Sequence, residues 1–296
     1  MTVEPEIDAR DVAVIFEGGG TRNSYTAPVV EKLIAEHVQF GWVGGISAGA
    51  SHALNFASRD AYRSEKSFTD FVGNPEFGGW RTMVRGKGLL NGEFIYEGYA
   101  DQLPFDMETF LRTEEEVHLE AVRADTGETV TYNREDMQTI EQINIAARTS
   151  STLPLVMKMR EVDGVPYVDG ALGTSGGILI QAAKDAGYSR FLVVLTRPRD
   201  YIKPPEKRQR ALRRILRKTP NVVDAMVARP GIYNAARAEV KRLEAAGDAY
   251  VFYPEHMGVE STELNVDKLK ANYAAGQEQL AREWPAMREF LTQRDS

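Results

Sequence analysis

The chain has 296 residues, with 36 Lys and Arg against 43 Asp and Glu, a net charge of −7 and no cysteine. The absence of cysteine excludes disulfides, iron–sulfur clusters and cysteine–zinc sites, and the acidic balance argues against nucleic acid as a partner. A chain this long buries about three quarters of its unfolded surface, enough for one large domain or a domain with an appendage.

Residues 12–16 (VAVIF) read as a buried strand, followed at once by Glu17-Gly18-Gly19-Gly20-Thr21-Arg22. Three glycines at a strand end leave backbone N–H groups unshielded, and such a loop can bind a phosphate or an oxyanion. A dinucleotide fingerprint is not met. Its sixth position holds Asn23, and the next strand-like run, 40–43, ends in Gly-Gly with no ribose-binding carboxylate. Residues 25–36 are helix-compatible. After 40–43 comes Gly45-Ile46-Ser47-Ala48-Gly49, a G-x-S-x-G turn ahead of a helical stretch at 47–58. A serine in that pattern sits on a tight strand-to-helix turn with its hydroxyl exposed, and the following helix points its positive N-terminus at a developing oxyanion.

Residues 73–96 are glycine-rich and carry Phe77, Trp80, Met83, Leu89 and Leu90. They read either as an apolar flap that receives an acyl chain or as a long connection packing its aromatics on the core. Residues 117–123 and 129–132 form a hairpin through the turn at 125–127, and 140–147 looks helical. A second hairpin turns at Asp163-Gly164. Its return strand ends in Tyr167-Val168-Asp169-Gly170-Ala171, which places Asp169 where a carboxylate can meet a serine from elsewhere, or is simply a turn. A helix at 178–186 leads into 191–195 (FLVVL), a buried parallel strand. The alternation predicts an α/β fold with a largely parallel central sheet, and both the glycine loop and Ser47 fall at carboxyl ends of strands, where such sheets bind ligands. Residues 203–218 (KPPEKRQRALRRILRK) read as a basic amphipathic helix, lipid-facing or merely solvated. Helix at 221–246, strand at 250–253 and helix at 266–291 complete the chain.

Taken together, the glycine loop, G-x-S-x-G, the stretch AARTSSTLP at 146–154 and Asp169-Gly170-Ala171 occur in the order found in the patatin-like phospholipase family. The chain resembles that family over residues 10–200, and the Glu-Gly-Gly-Gly opening and Tyr233-Asn234 resemble a bacterial subgroup of small members. Two positions depart from its pattern: Asn23 follows Arg22 where glycine is usual, and the aspartate motif ends in Ala171 rather than glycine. The resemblance implies a patatin-like three-layer α/β fold and a Ser-Asp dyad acyl hydrolase, with Ser47 as nucleophile and Asp169 as its partner. In the same reading Gly18, Gly19 and Gly20 hold the oxyanion. Arg22 strengthens that field, meets a lipid phosphate, or makes a structural salt bridge.

The histidines agree with a dyad. Of His37, His52, His118 and His256, only His256 follows Asp169, as a Ser-acid-His triad would require, and it reads as a surface residue. No cofactor or metal is expected, and no calcium loop of the D-x-[DN]-x-[DN]-G type occurs. The first residues (MTVEPEID) lack the apolar core of a signal peptide, and no apolar run approaches a membrane span. The expectation is a cytoplasmic phospholipase A-like enzyme acting on phospholipid or another acyl ester, with peripheral contact to an anionic membrane surface, a catalytic domain at 10–200 and a mostly helical extension at 201–296. The alternatives are a carboxylesterase for soluble esters and a non-catalytic membrane-surface protein.

Overall fold

The structure, a computed structural model, describes residues 6–98 and 102–293. In chain order the first elements are strand β1 (Ile7–Phe16), helix α1 (Ala27–Ala35), β2 (Val38–Gly45), α2 (Ala48–Ala57), α3 (Ala61–Lys66), α4 (Trp80–Val84), α5 (Gly92–Glu97) and α6 (Met107–Arg112). The middle of the chain supplies β3 (Glu116–Arg123), β4 (Thr129–Asn133), α7 (Ile140–Ser151), β5 (Arg160–Val162), β6 (Val165–Asp169), α8 (Ile180–Asp185) and β7 (Arg190–Val194). The last part forms α9 (Gln209–Ile215), α10 (Pro220–Ala246), β8 (Ala249–Phe252) and α11 (Val266–Thr292).

One sheet runs in the order β5-β6-β3-β2-β1-β7-β8, with β4 also paired to β3. The five strands from β3 to β8 along this path are parallel, whereas β4, β5 and β6 join antiparallel. Side-chain alternation along β1 explains the three layers. Val12, Val14 and Phe16 face one core with Val29 and Leu33 of α1, Leu54 of α2 and Leu280 of α11. Ala13 and Ile15 face the other, with Ala183 of α8 and Val240 and Leu243 of α10. Both faces are therefore covered, as a largely parallel sheet requires.

The register around β3 positions the site. β4 pairs with β3 across His118 to Val122, which overlaps the stretches paired with β2 and with β6. A strand has two edges, so β2 and β6 must share the other one, end to end. Gly45 of β2 lies opposite Leu119 and Asp169 of β6 lies opposite Ala121, only two residues, about 7 Å, along the same strand. The Asp163-Gly164 turn has positive φ at both residues (50° and 77°), the type I′ geometry that a two-residue hairpin favours.

Two stretches differ from the sequence expectation. Residues 73–96, expected as a flap or a long connection, carry two short helices, α4 and α5. The basic stretch 203–218 is irregular up to Arg208, with helix only at α9. Pro204 and Pro205 supply no N–H and bias the residues before them away from helix. Within this stretch Leu212 and Leu216 are buried against Val222 and Val223, while Ile215 is exposed. No helix among the described residues is long and apolar enough to cross a membrane.

Candidate active site

Ser47 stands at the junction of β2 and α2 with φ 58° and ψ −128°, a strained conformation for a side-chain-bearing residue. The flanking glycines permit it. A Cβ on Gly45 would run into the carbonyl of Gly49, and one on Gly49 into the carbonyl of Phe16. Ser47 is 6% exposed and Asp169 2%, and the Ser47 side chain is near enough to the Asp169 carboxyl to draw its pKa down. Asp169 Oδ1 accepts from the Ala171 amide at 2.9 Å.

Burial pushes the Asp169 carboxyl above its ordinary pKa, and Arg229, the Ser47 hydroxyl, the Ala171 amide and Lys203 pull part of the way back. A carboxylate of raised pKa is the stronger base. The stretch 146–154 buttresses both residues. Ser150 Oγ of α7 accepts from the Ser47 amide at 3.1 Å, and the Thr152 carbonyl accepts from the Asp169 amide at 2.8 Å.

Gly18 abuts the serine, for a Cβ there would lie 2.7 Å from the Ile46 carbonyl oxygen and 2.9 Å from Ser47 Cβ. Among the described residues the Gly18 and Gly19 amides donate to no main-chain carbonyl, which leaves them free for an incoming oxyanion. Gly20 has φ 57° and turns the chain into a short 3-10 segment, Gly20–Ser24. Arg22 and Asn23 are buried there. The Asn23 amide donates to the Glu17 carbonyl at 3.1 Å, tying the loop across its base. Among the described residues Arg22 has no ion pair, and its Nε is buried without a hydrogen-bond partner. Burial, then Arg197, lowers its pKa, with Glu17 opposing. Among the described residues the salt-bridge alternative for Arg22 finds no carboxylate within ion-pair distance.

Sequence reasoning missed the anchor of this loop. Glu17 is 3% exposed. Its carboxylate accepts from the Thr196 amide at 2.5 Å and from the Tyr233 hydroxyl of α10 at 2.6 Å. A carboxylate directly after five apolar strand residues was the available signal, since buried acids need dedicated partners. Among the described residues no histidine hydrogen-bonds Ser47 or Asp169. His52 is fully buried among Thr26, Asn23 and the rings of Phe16 and Phe68, and burial lowers its pKa to about 3. His256 is exposed.

Two cavities flank the pair. A narrow apolar one of about 70 Å³ is lined by Gly20, Ala48, Phe71, Phe77, Leu90, Ile95 and Phe105. Part of segment 73–96 therefore forms its wall, while Trp80, Met83 and Val84 of α4 face solvent. The second, of about 580 Å³, is lined by Asp169 itself together with Lys203 and Arg229.

The family described as patatin-like phospholipase matches residues 14–182, more than half of the 296-residue chain. The chain belongs to that family. A domain of unknown function (DUF6363) matches residues 219–292. The chain is similar to the uncharacterized protein YjjU of Escherichia coli (strain K12), 26% identical over 200 residues, covering 66% of this chain and 54% of that protein. It thus spans about half the length of the curated relative it matches. Among solved structures it is similar to VipD from Legionella pneumophila, with a TM-score of 0.49 and 9% identity over 94% of this chain and 67% of that one.

Proposed function

We propose that the protein is a serine-dependent lipid acyl hydrolase of the phospholipase A type, with residues 10–200 as its catalytic unit and 201–296 as an extension packed upon it. Ser47 Oγ attacks the carbonyl carbon of an acyl ester while its proton passes to Asp169. The amides of the Gly18–Gly20 loop and of Ala48, at the open N-terminus of α2, receive the oxyanion, and Arg22 deepens the positive field there. Collapse breaks the ester C–O bond, and Asp169 returns the proton to the leaving alcohol. Water then attacks the acyl-enzyme with Asp169 again as base, which releases the acid and restores the serine.

The observation that carries this reading is a strained, buried Ser47 brought beside the buried Asp169 carboxyl, next to glycine amides without a main-chain partner. Loss of one oxyanion donor typically costs about a hundredfold or more in rate. The proposed setting is the cytoplasm, with contact to an anionic membrane surface through the exposed cations of 203–218. Labelling by a fluorophosphonate probe, mapped to Ser47, together with release of fatty acid from a phospholipid tests the reading. An unlabelled, folded protein inert on all esters would refute it.

A further inference from the structure

The cavity beside Asp169 is cationic. Lys203, Lys207, Arg208 and Arg229 line it against the carboxylates of Asp169 and Glu206. Arg208 sits 3.5 Å from Glu206. Among the described residues, Lys203 and Arg229 make no close ion pair, although both act on the Asp169 carboxyl from a distance. Arg229 Nε is buried with no hydrogen bond. The Lys203 ammonium lies 4.8 Å from the centre of the Tyr233 ring. Burial lowers its pKa to about 8, and Arg229, Arg22 and Arg197 push in the same direction, with Glu17 opposing. Mutually repelling, half-desolvated cations destabilise a fold unless an anion joins them.

The main chain presenting Lys203 is also pinned. The Asn234 side chain of α10 accepts from the Lys203 amide at 2.9 Å and donates to its carbonyl at 3.0 Å. The backbone that presents the cation is therefore fixed before any ligand arrives, which lowers part of the ordering cost of binding one.

Chemistry decides which part of a substrate meets these cations. Asp169 must protonate the departing oxygen, so the leaving alcohol lies on the Asp169 side. The apolar cavity, which reaches Ala48 next to the nucleophile, suits the acyl chain. Ser261 lines both cavities, so one ester can extend into each. We propose that Lys203 and Arg229 form a phosphate site for the leaving alcohol, making the preferred substrate an acyl ester of a phosphate-bearing alcohol. This rests on the Ser-Asp hydrolase reading above. Arg supplies a planar fork and Lys a point charge, and both suit a phosphate.

The test compares kcat/KM of the full chain on 1-acylglycerol 3-phosphate and on 1-acylglycerol with the same acyl group. Wild type is expected to prefer the phosphate ester by about 10- to 100-fold, the worth of charge-assisted hydrogen bonds. Lys203→Met with Arg229→Met should remove most of that ratio, and Arg229→Lys should keep it. The ratio is the proper readout, because both cations also act on Asp169 and so affect both esters.

A second measurement needs no turnover. Ser47→Ala protein titrated calorimetrically should bind glycerol 3-phosphate but not glycerol, and should lose that binding when both cations are replaced. A wild-type ratio near one, or glycerol 3-phosphate binding that survives the double replacement, would overturn the phosphate site. Binding of inorganic phosphate without any ester preference would make it a site for a free anion and overturn the leaving-group role. Failure of Ser47 to label or to hydrolyse either ester overturns the hydrolase reading and the leaving-group role with it. Labelling without ester preference overturns only the latter.

Discussion

Replacing Tyr233 by phenylalanine removes one oxygen atom from beneath the glycine loop and tests how α10 supports it. Tyr233 is 2% exposed and Glu17 3%. Burial and the Glu17 charge push the phenol pKa up, so the hydroxyl remains the donor to Glu17 Oε1 at 2.6 Å. Oε2 is occupied by the Thr196 amide, and Arg237 donates to the tyrosine oxygen at 3.4 Å and to the Pro198 and Arg199 carbonyls. Without that oxygen, one charged acceptor is left buried and unpaired. The ring stays, so no cavity term is added, and the loss is that of a hydrogen bond to a charged group, about 1.5–3 kcal/mol. For a chain of this size that lowers the melting temperature by about 3–6 °C. Gly18 and Gly19 follow Glu17 directly, so kcat on a soluble ester should fall by about tenfold, the scale of one weakened oxyanion contact. Scanning calorimetry and ester hydrolysis provide the two readings. A melting temperature within about 1 °C of wild type together with unchanged kcat would refute the argument that α10 holds the loop through Glu17.

Ser47→Ala and Asp169→Asn should each abolish ester hydrolysis with the circular dichroism spectrum intact, and the double variant should be little worse than either, because residues acting as a unit are not additive. The acid limb of kcat/KM should lie above the ordinary carboxyl pKa of about 3.9, since burial raises Asp169; a limb at or below that value would contradict the assignment of the base. The same shift has a stability sign: a carboxyl whose folded pKa is raised favours the fold when protonated, and its ionisation costs stability as pH rises from the unfolded towards the folded pKa. Asp169→Asn should therefore melt higher than wild type at pH 7, and a lower melting point would count against it. His256→Ala should leave activity intact, as the residue is exposed; a loss of several hundredfold without misfolding would point to a triad instead. Charge reversal at Arg210, Arg214 and Arg217, all exposed, should weaken co-sedimentation with anionic vesicles, as should raising the salt, which shortens the Debye length to about 3 Å at 1 M. Equal sedimentation of the wild-type and reversed proteins at low salt would exclude a lipid-facing role for this stretch.

The amino-acid sequence by itself determined the features that depend on local spacing and turn chemistry. The apolar run at 12–16, the G-x-S-x-G turn between β2 and α2, the Asp-Gly hairpin and the two long C-terminal helices all follow from residues close together in the chain. The break in the basic stretch was missed, although Pro204-Pro205 carried its signal. Tertiary structure alone decided what meets what. Asp169 comes beside Ser47 because β2 and β6 lie end to end on one edge of β3, a register that no periodicity encodes. The anchor of the glycine loop arrives from Tyr233 of α10, and the cations beside Asp169 come from residues after position 200. The physical reason is that backbone propensity acts over a few neighbouring residues, whereas desolvation, charge pairing and hydrogen-bond satisfaction are settled only when distant segments are buried together.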